Sequence, residues 1–252
     1  MSTWEKYYLN ILKQGLFNEV GSRSISTLYK ILVKKILNHN FVSLELGCGI
    51  ARFTLTIVDN SRYAIGVDLH VPDRILKNIF KQKAVKTDFI VADVRHLPFR
   101  SEVFDFVHSQ GLYEHFKDKE RDLVIKESIR VLKKGGILFF TVPNALNILY
   151  RVGKFISELK RSWIYGWEKP LTIKDVLLYL KRYNAKVLIY GGIGFLGQFF
   201  DIPSVRRILA GLGINYKRII GLHFYRNFGF GAFSSLLGKQ IFVIAKKTKG
   251  LT

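Results

Sequence analysis

The sequence predicts an α/β domain in which a mostly parallel sheet is covered by helices on both faces. Three observations carry this. Residues 41–53, Phe-Val-Ser-Leu-Glu-Leu-Gly-Cys-Gly-Ile-Ala-Arg-Phe, read as a buried strand that ends in an acid and runs through a glycine turn into a helix. Downstream, short apolar runs alternate with amphipathic segments, as in parallel strands joined by crossover helices. A chain of 252 residues with 48% hydrophobic and 23% charged side chains is long and apolar enough for one large domain with a buried core.

Taken in order, the first 40 residues read as a helical N-terminal cap, with Leu28, Ile31, Leu32, Lys35 and Ile36 near helical spacing. After the glycine turn come a second strand at 63–67, a helix at 73–81, a third strand at 88–92 and a fourth at 103–109. A helix over 118–132 follows, its Leu123, Val124, Glu127 and Val131 mixing apolar and polar faces. Lys133-Lys134-Gly135-Gly136 reads as its stop, with cations at the C-terminal dipole and glycine past the last turn. The fifth strand is 137–142, closed by Pro143, and further strands fall at 186–190 and 240–246. Residues 144–170 and 197–238 fit no regular βα repeat. The chain thus divides into the cap (1–40), a core (41–143), two insertions (144–185 and 197–238) and a last strand (239–248), all in one domain.

The formal net charge is +21. Residues 1–150 hold 22 Lys+Arg against 15 Asp+Glu, a net of +7, whereas residues 151–252 hold 18 against 4, a net of +14. So basic a C-terminal part favours encounters with polyanions, either nucleic acid or anionic lipid headgroups. One cysteine, Cys48, excludes an intrachain disulfide, and no cysteine–histidine cluster has metal-ligand spacing, so no metal site is expected. A reducing, cytoplasmic location fits, with association at a membrane surface as an extension of it. The N-terminal residues lack the basic-then-apolar pattern of a secretory signal, and no run approaches the roughly 18 apolar residues of a spanning helix.

The glycine turn carries the chemistry. Gly47 and Gly49 allow the backbone to turn tightly near a ligand, and the next helix points free N–H groups there. Glu45, two residues before Gly47, would repel a dinucleotide pyrophosphate but attract an ammonium group. This favours a cationic amino-acid nucleoside such as S-adenosylmethionine. A dinucleotide fingerprint needs a third glycine three residues after Gly49, and Arg52 stands there. No Gly-Lys-Ser/Thr follows, so a P-loop fails as well.

With these residues the chain resembles the class I S-adenosyl-L-methionine-dependent methyltransferases, specifically the type 11 or ubiquinone/menaquinone-biosynthesis-like group, over roughly residues 41–143. The family's acid-x-Gly-x-Gly-x-Gly loop is here Glu45-Leu46-Gly47-Cys48-Gly49-Ile50-Ala51. Ala51 replaces the third glycine, a change expected to be tolerated if that residue has helical dihedrals. The resemblance implies a Rossmann-like three-layer sandwich with seven strands in the order 3-2-1-4-5-7-6, the last antiparallel. It also implies S-adenosyl-L-methionine held by Glu45, Gly47, Cys48 and Gly49, by Asp68 and Leu69 at the ribose, by Asp93 and Val94 at the adenine, and by Ser109 and Gln110 toward the methyl group. The segment Gly111-Leu112-Tyr113-Glu114-His115-Phe116 is similar to the family's Glu-His segment. His115, with Glu114, is the candidate base for a hydroxyl acceptor; the plainer alternative is that the pair braces the helix beginning near Asp118. His108, inside a strand, reads as a packed core residue. Trp4, Tyr7 and Tyr8 are candidates for a lid.

No Asn/Asp-Pro-Pro-Tyr/Phe motif is present, which argues against methylation of DNA base amines. The only cysteine lies in the cofactor loop, which excludes a cysteine-nucleophile mechanism at pyrimidine C5. Between 144 and 238, Trp163, Tyr165, Trp167, Phe195, Phe199, Phe200, Phe224, Tyr225, Phe228 and Phe230 interleave with Arg151, Arg161, Arg206, Arg207, Lys217, Arg218 and Arg226. Such a surface suits a small-molecule or lipid-linked acceptor with peripheral membrane contact, or, second, RNA. Residues 205–212 and 216–220 look more like a basic amphipathic surface than a base-reading sheet. A protein that binds nucleosides or nucleic acid without catalysis is the reading from another class.

Overall fold

The computed structural model describes residues 23–37, 40–81, 86–194, 211 and 228–248. Trp4, Tyr7, Tyr8, Phe195, Phe199, Phe200, Arg206, Arg207, Lys217, Arg218, Phe224, Tyr225 and Arg226 lie outside these residues, as do the amphipathic stretches expected at 205–212 (Gly211 apart) and 216–220. Helix α1 (Arg23–Leu32) continues through a π turn, Val33–Leu37, into β1 (Phe41–Leu46). Then come α2 (Arg52–Ile57), β2 (Ser61–Asp68), α3 (Asp73–Phe80), β3 (Lys86–Val91), β4 (Phe104–Gln110), a 3-10 turn at Tyr113–His115, α4 (Asp118–Val131) and β5 (Leu132–Pro143). The remainder is α5 (Ile148–Leu159), α6 (Ile173–Arg182), β6 (Ala185–Ile193), β7 (Phe228–Phe230), α7 (Gly231–Leu237) and β8 (Gln240–Lys247).

The sheet runs β3-β2-β1-β4-β5-β8-β6-β7. β1 is parallel to β2 and β4, while β8 is antiparallel to both β5 and β6. Without the three-residue edge strand β7, this is the seven-stranded order 3-2-1-4-5-7-6 with an antiparallel last strand. Successive strand residues face opposite sides, and β1 shows how the two layers are filled. Val42, Leu44 and Leu46 join Val124, Ile129 and Leu180 under α4 and α6. Phe41 joins Tyr29, Phe53 and Phe139 under α1 and α2. Each such side chain, fully removed from water, contributes roughly 1.5–3 kcal/mol.

Several local expectations are corrected. In the cap, Leu28, Tyr29, Leu32 and Val33 are the buried stripe and Ile31 is exposed, so the core-facing side is rotated from the one expected. Helix α4 is not stopped by glycine: Leu132 is already extended and opens β5 directly. Lys133 to Gly136 instead form an irregularity inside that strand, where two steps of β4 (Phe104 to Phe106) face five of β5 (Leu132 to Ile137), with Gly135 at φ 81°. The first insertion contains α5, capped by the Asn147 side chain accepting from Tyr150 N–H at 2.8 Å. The second contains β7 and α7. The two insertions are joined: Asn144 Nδ2 donates to the carbonyls of Ser235 (2.8 Å) and Gly238 (2.8 Å), and Asn147 Nδ2 to that of Leu237 (2.9 Å). These side chains satisfy carbonyls that the end of α7 leaves open. Among the described residues no helix is long and apolar enough to cross a membrane.

Candidate active site

The glycine turn sits at the C-terminal ends of β1 and β2. Three of its residues are left-handed: Gly47 at φ 64°, Gly49 at φ 50° and Ala51 at φ 52°. Ala51 therefore lacks the right-handed helical dihedrals under which its replacement of glycine was expected to be tolerated; it is fully buried at the start of α2 in a conformation that favours glycine. A Cβ on Gly47 would lie 2.9 Å from Leu112 Cδ1, so the turn packs directly against the segment after β4.

Residue parity decides where Glu45 goes. It shares the β1 face that looks toward α2, and its Oε2 accepts from the Thr54 backbone N–H at 2.8 Å and the Thr54 hydroxyl at 2.5 Å. The carboxylate is thus buried behind the turn, bracing α2, and not in its mouth as the sequence suggested. Burial pushes its pKa up to about 7 against the lowering pull of the two Thr54 bonds. Asp68, at the end of β2, is half-buried; its Oδ2 accepts from Gly49 N–H at 2.9 Å and its Oδ1 from His70 N–H at 3.0 Å. Burial raises its pKa, opposed by those same N–H bonds. The charge of Asp68 adds to the raising of Glu45, and both acids add to that of Cys48. The buried Cys48 thiol is pushed well above its usual range by burial first and these acids second, so it is inert as a nucleophile. Leu69 is exposed beside Asp68.

Beyond β3, Ala92 N–H bonds to Asp68 O at 3.1 Å, which brings the 92–94 stretch alongside. Val94 is buried in the main core. Asp93 is partnered in a way the sequence did not suggest. Its Oδ1 accepts from Arg95 N–H (2.8 Å) and its Oδ2 from Arg95 Nη2 (2.7 Å), while Arg95 also pairs with Glu120. The guanidinium bond lowers the Asp93 pKa. Ser109, buried, and Gln110, half-buried, end β4. His108 is a core residue as expected: Tyr29 OH lies 3.0 Å from its Nδ1, its ring stacks on Phe106 at 4.7 Å, and burial lowers its pKa to about 3.

Glu114 and His115 lie beyond the end of β4, and neither caps α4. That bracing falls to Arg121, fully buried, whose Nε donates to Tyr113 O (2.8 Å) and whose Nη2 donates to Phe116 O (2.6 Å). The pair meets the 167–169 segment instead: Lys169 N–H donates to Glu114 O at 2.8 Å, and His115 Nδ1 lies 2.9 Å from Trp167 O. Burial pushes the Glu114 carboxyl up to about 8 and lowers the His115 pKa. Arg95, Arg121 and Glu168 were missed at the level of sequence. Single charged residues in no recurring pattern carry no signal until the fold supplies their partners.

Residues 44–140 match the family model described as "Methyltransferase domain". Among curated proteins, the chain is 26% identical to the ubiquinone biosynthesis O-methyltransferase of Pelagibacter ubique over 62% of this chain and 66% of that one. It is 34% identical to a mouse protein described as "Probable tRNA methyltransferase 9B" over 50% of this chain and 30% of that one. Among solved structures, a Burkholderia thailandensis 1,6-didemethyltoxoflavin-N1-methyltransferase with bound S-adenosylhomocysteine shares the fold at a TM-score of 0.62 and 12% identity, over 98% of this chain and 88% of that one. In its sheet order, its acid-and-glycine turn and this domain match over residues 44–140, the chain is similar to the class I S-adenosyl-L-methionine-dependent methyltransferases.

Proposed function

We propose that the protein transfers a methyl group to a small-molecule or lipid-linked acceptor presented beyond the end of β4. The observation that carries this reading is the packing of the glycine turn against Leu112, which sets the cofactor loop beside the Glu114–His115 turn. The residues fit the cofactor. Asp68, half-buried and already holding Gly49, offers carboxylate oxygens to a ribose diol, while Glu45 holds the start of α2 behind the turn through Thr54. S-adenosyl-L-methionine, when bound, supplies an electrophilic methyl group on a sulfonium. In this reading Gly47, Cys48, Gly49 and Leu69 line its nucleoside, Val94 N–H donates to the base, and Asp93 shares its carboxylate between Arg95 and the adenine amine. Ser109 and Gln110 border the path to the acceptor. Holding the reacting groups in line accounts for roughly 7–11 kcal/mol in reactions of this kind. While its Nε2 carries no ligand, His115, kept neutral by burial, takes the proton when the acceptor is a hydroxyl.

The lipid-linked version of the reading is supported by α5, which buries none of its residues. Ile148 (74% exposed), Phe155 (61%) and Leu159 (67%) lie on one side of it with Val152 and Ile156, beside Arg151, Lys160 and Arg161. Apolar surface edged with cations suits an anionic bilayer interface. Titration with S-adenosylhomocysteine tests the cofactor site: the wild-type melting temperature rises with ligand, and Asp68→Ala weakens binding about 10- to 100-fold, the worth of a charge-assisted hydrogen bond. An unchanged affinity in Asp68→Ala would remove Asp68 from the site. Retention on anionic vesicles against retention on RNA, each followed over salt, tests the acceptor class. A steep salt slope on RNA with no vesicle binding favours the RNA reading.

A further inference from the structure

The Glu114–His115 turn has a third companion that lies outside the matched methyltransferase domain. Glu168 sits 53 positions after His115 and is carried in by the segment that follows α5. One ligand atom from each of Glu114, His115 and Glu168 lies within 4.8 Å of the others. Both carboxylates are withdrawn from water, Glu114 at 2% exposure and Glu168 at 8%. Each also keeps a buried oxygen with no hydrogen-bond donor, Glu114 Oε2 and Glu168 Oε1. Leaving such an atom unpartnered costs about 1–3 kcal/mol, more when it is charged. Lys154 Nζ donates to the Glu168 backbone carbonyl (2.9 Å) and forms an ion pair with Glu168 Oε1 at 3.7 Å, a separation too long for a hydrogen bond.

We propose that Glu114, His115 and Glu168 bind a divalent first-row metal ion such as Mn²⁺ or Zn²⁺. Two carboxylates and an imidazole form a mixed oxygen–nitrogen donor set suited to such ions, and three protein ligands leave positions open for water or an acceptor oxygen. Metal–ligand bonds of about 2.0–2.2 Å require ligand atoms roughly 3–4 Å apart, so the three side chains close inward by about 1 Å. The hydrogen bond between His115 Nδ1 and the Trp167 carbonyl supplies the outer-shell partner that metal-binding histidines usually have, and the tautomer that donates Nδ1–H puts the ring's lone pair on Nε2. Arg121 fixes the turn from behind through the Tyr113 and Phe116 carbonyls. Residue spacing gave no expectation of a metal site; in the fold an adjacent Glu-His pair meets a distant acid.

This site does not rest on the cofactor reading and is tested without turnover. The full chain, stripped with a chelator, is titrated with Mn²⁺ while the electron paramagnetic resonance signal of the free ion is followed. One site per chain, displaced by Zn²⁺, is expected. Glu168→Gln and Glu114→Gln should each weaken it at least about 10-fold, while Glu168→Gln keeps the wild-type affinity for S-adenosylhomocysteine, which verifies its fold. No Mn²⁺ uptake by the wild-type chain up to millimolar concentration, or uptake that Glu168→Gln and His115→Asn both leave unchanged, overturns the proposal.

Discussion

Ala51 shows how much one dihedral can decide. A left-handed alanine costs roughly 1–2 kcal/mol, yet its methyl group is fully buried beside Cys48, Val58 and Leu76. Glycine at this position would relieve the backbone while losing about 0.8 kcal/mol of methyl burial and paying more conformational entropy. Ala51→Gly is therefore expected to fall within about 1 kcal/mol of wild type in urea denaturation. Ala51→Val adds a β-branch at a positive φ in a filled space and should lose several kcal/mol; equal stability for the two variants would contradict the left-handed assignment. The alanine's conformation was not legible in the sequence, because alanine is the best helix former and the following residues are helical. The roles of Glu45 and Asp93 were half legible. Spacing places both acids at strand ends, but the side-chain partners Thr54 and Arg95 come from the parity of β1 and from a turn that no periodicity announces.

At the scale of elements, what was readable is what buries a face. Strands β1, β4 and β5 declare themselves as apolar runs bounded by glycine or proline, and α4 by its mixed faces. Helix α5 did not, because its apolar residues meet no core and it holds its place through the Asn147 cap and the asparagine bonds to α7. Replacing Ile148, Phe155 and Leu159 together by serine should leave the unfolding free energy within about 1 kcal/mol of wild type, as exposed positions do. The same change should reduce retention on anionic vesicles severalfold; undiminished retention would separate α5 from membrane contact. The 3-10 turn is the opposite case, an element whose carbonyls at Tyr113 and Phe116 are both held by one buried side chain. Arg121→Met keeps the stem but strips donors from the Tyr113 and Phe116 carbonyls, with an expected loss of about 2–5 kcal/mol. The exposed Asp118 end of the same residue's contacts adds little to that. A loss under 1 kcal/mol would mean that the turn is held by something else.

For the molecule as a whole, burial of Glu45 couples folding to pH. The group titrates from 4.5 in its ordinary state to about 7 when folded, so between those values the folded chain keeps a proton that the unfolded chain has released. Its contribution is complete below about 4.5 and is lost as pH climbs to 7, on the order of 3 kcal/mol across the window. Acids lowered by ion pairs, such as Asp93 and Asp118, act only below that range. Ligand-free protein should melt at a lower temperature at pH 8 than at pH 5.5, and Glu45→Gln should shrink that difference without removing it, because Glu114, pushed up to about 8, and Glu168, up to about 7, act with the same sign; a variant with the wild-type slope would assign it to those groups. The fold class and strand order follow from the alternation of apolar strands and helices. The route by which Glu168 reaches Glu114 could not be read, since it depends on how 53 intervening residues are folded.

Asn144 and Asn147, just past the fifth strand, clasp the chain at 235–238, immediately before the strand that pairs with the fifth. Were the backbone severed at any bond between Gly194 and Phe228, the two fragments would remain fastened together by that clasp and by the ladder beside it. The protein is thereby organised to survive a nick between Gly194 and Phe228 as a noncovalent pair of pieces.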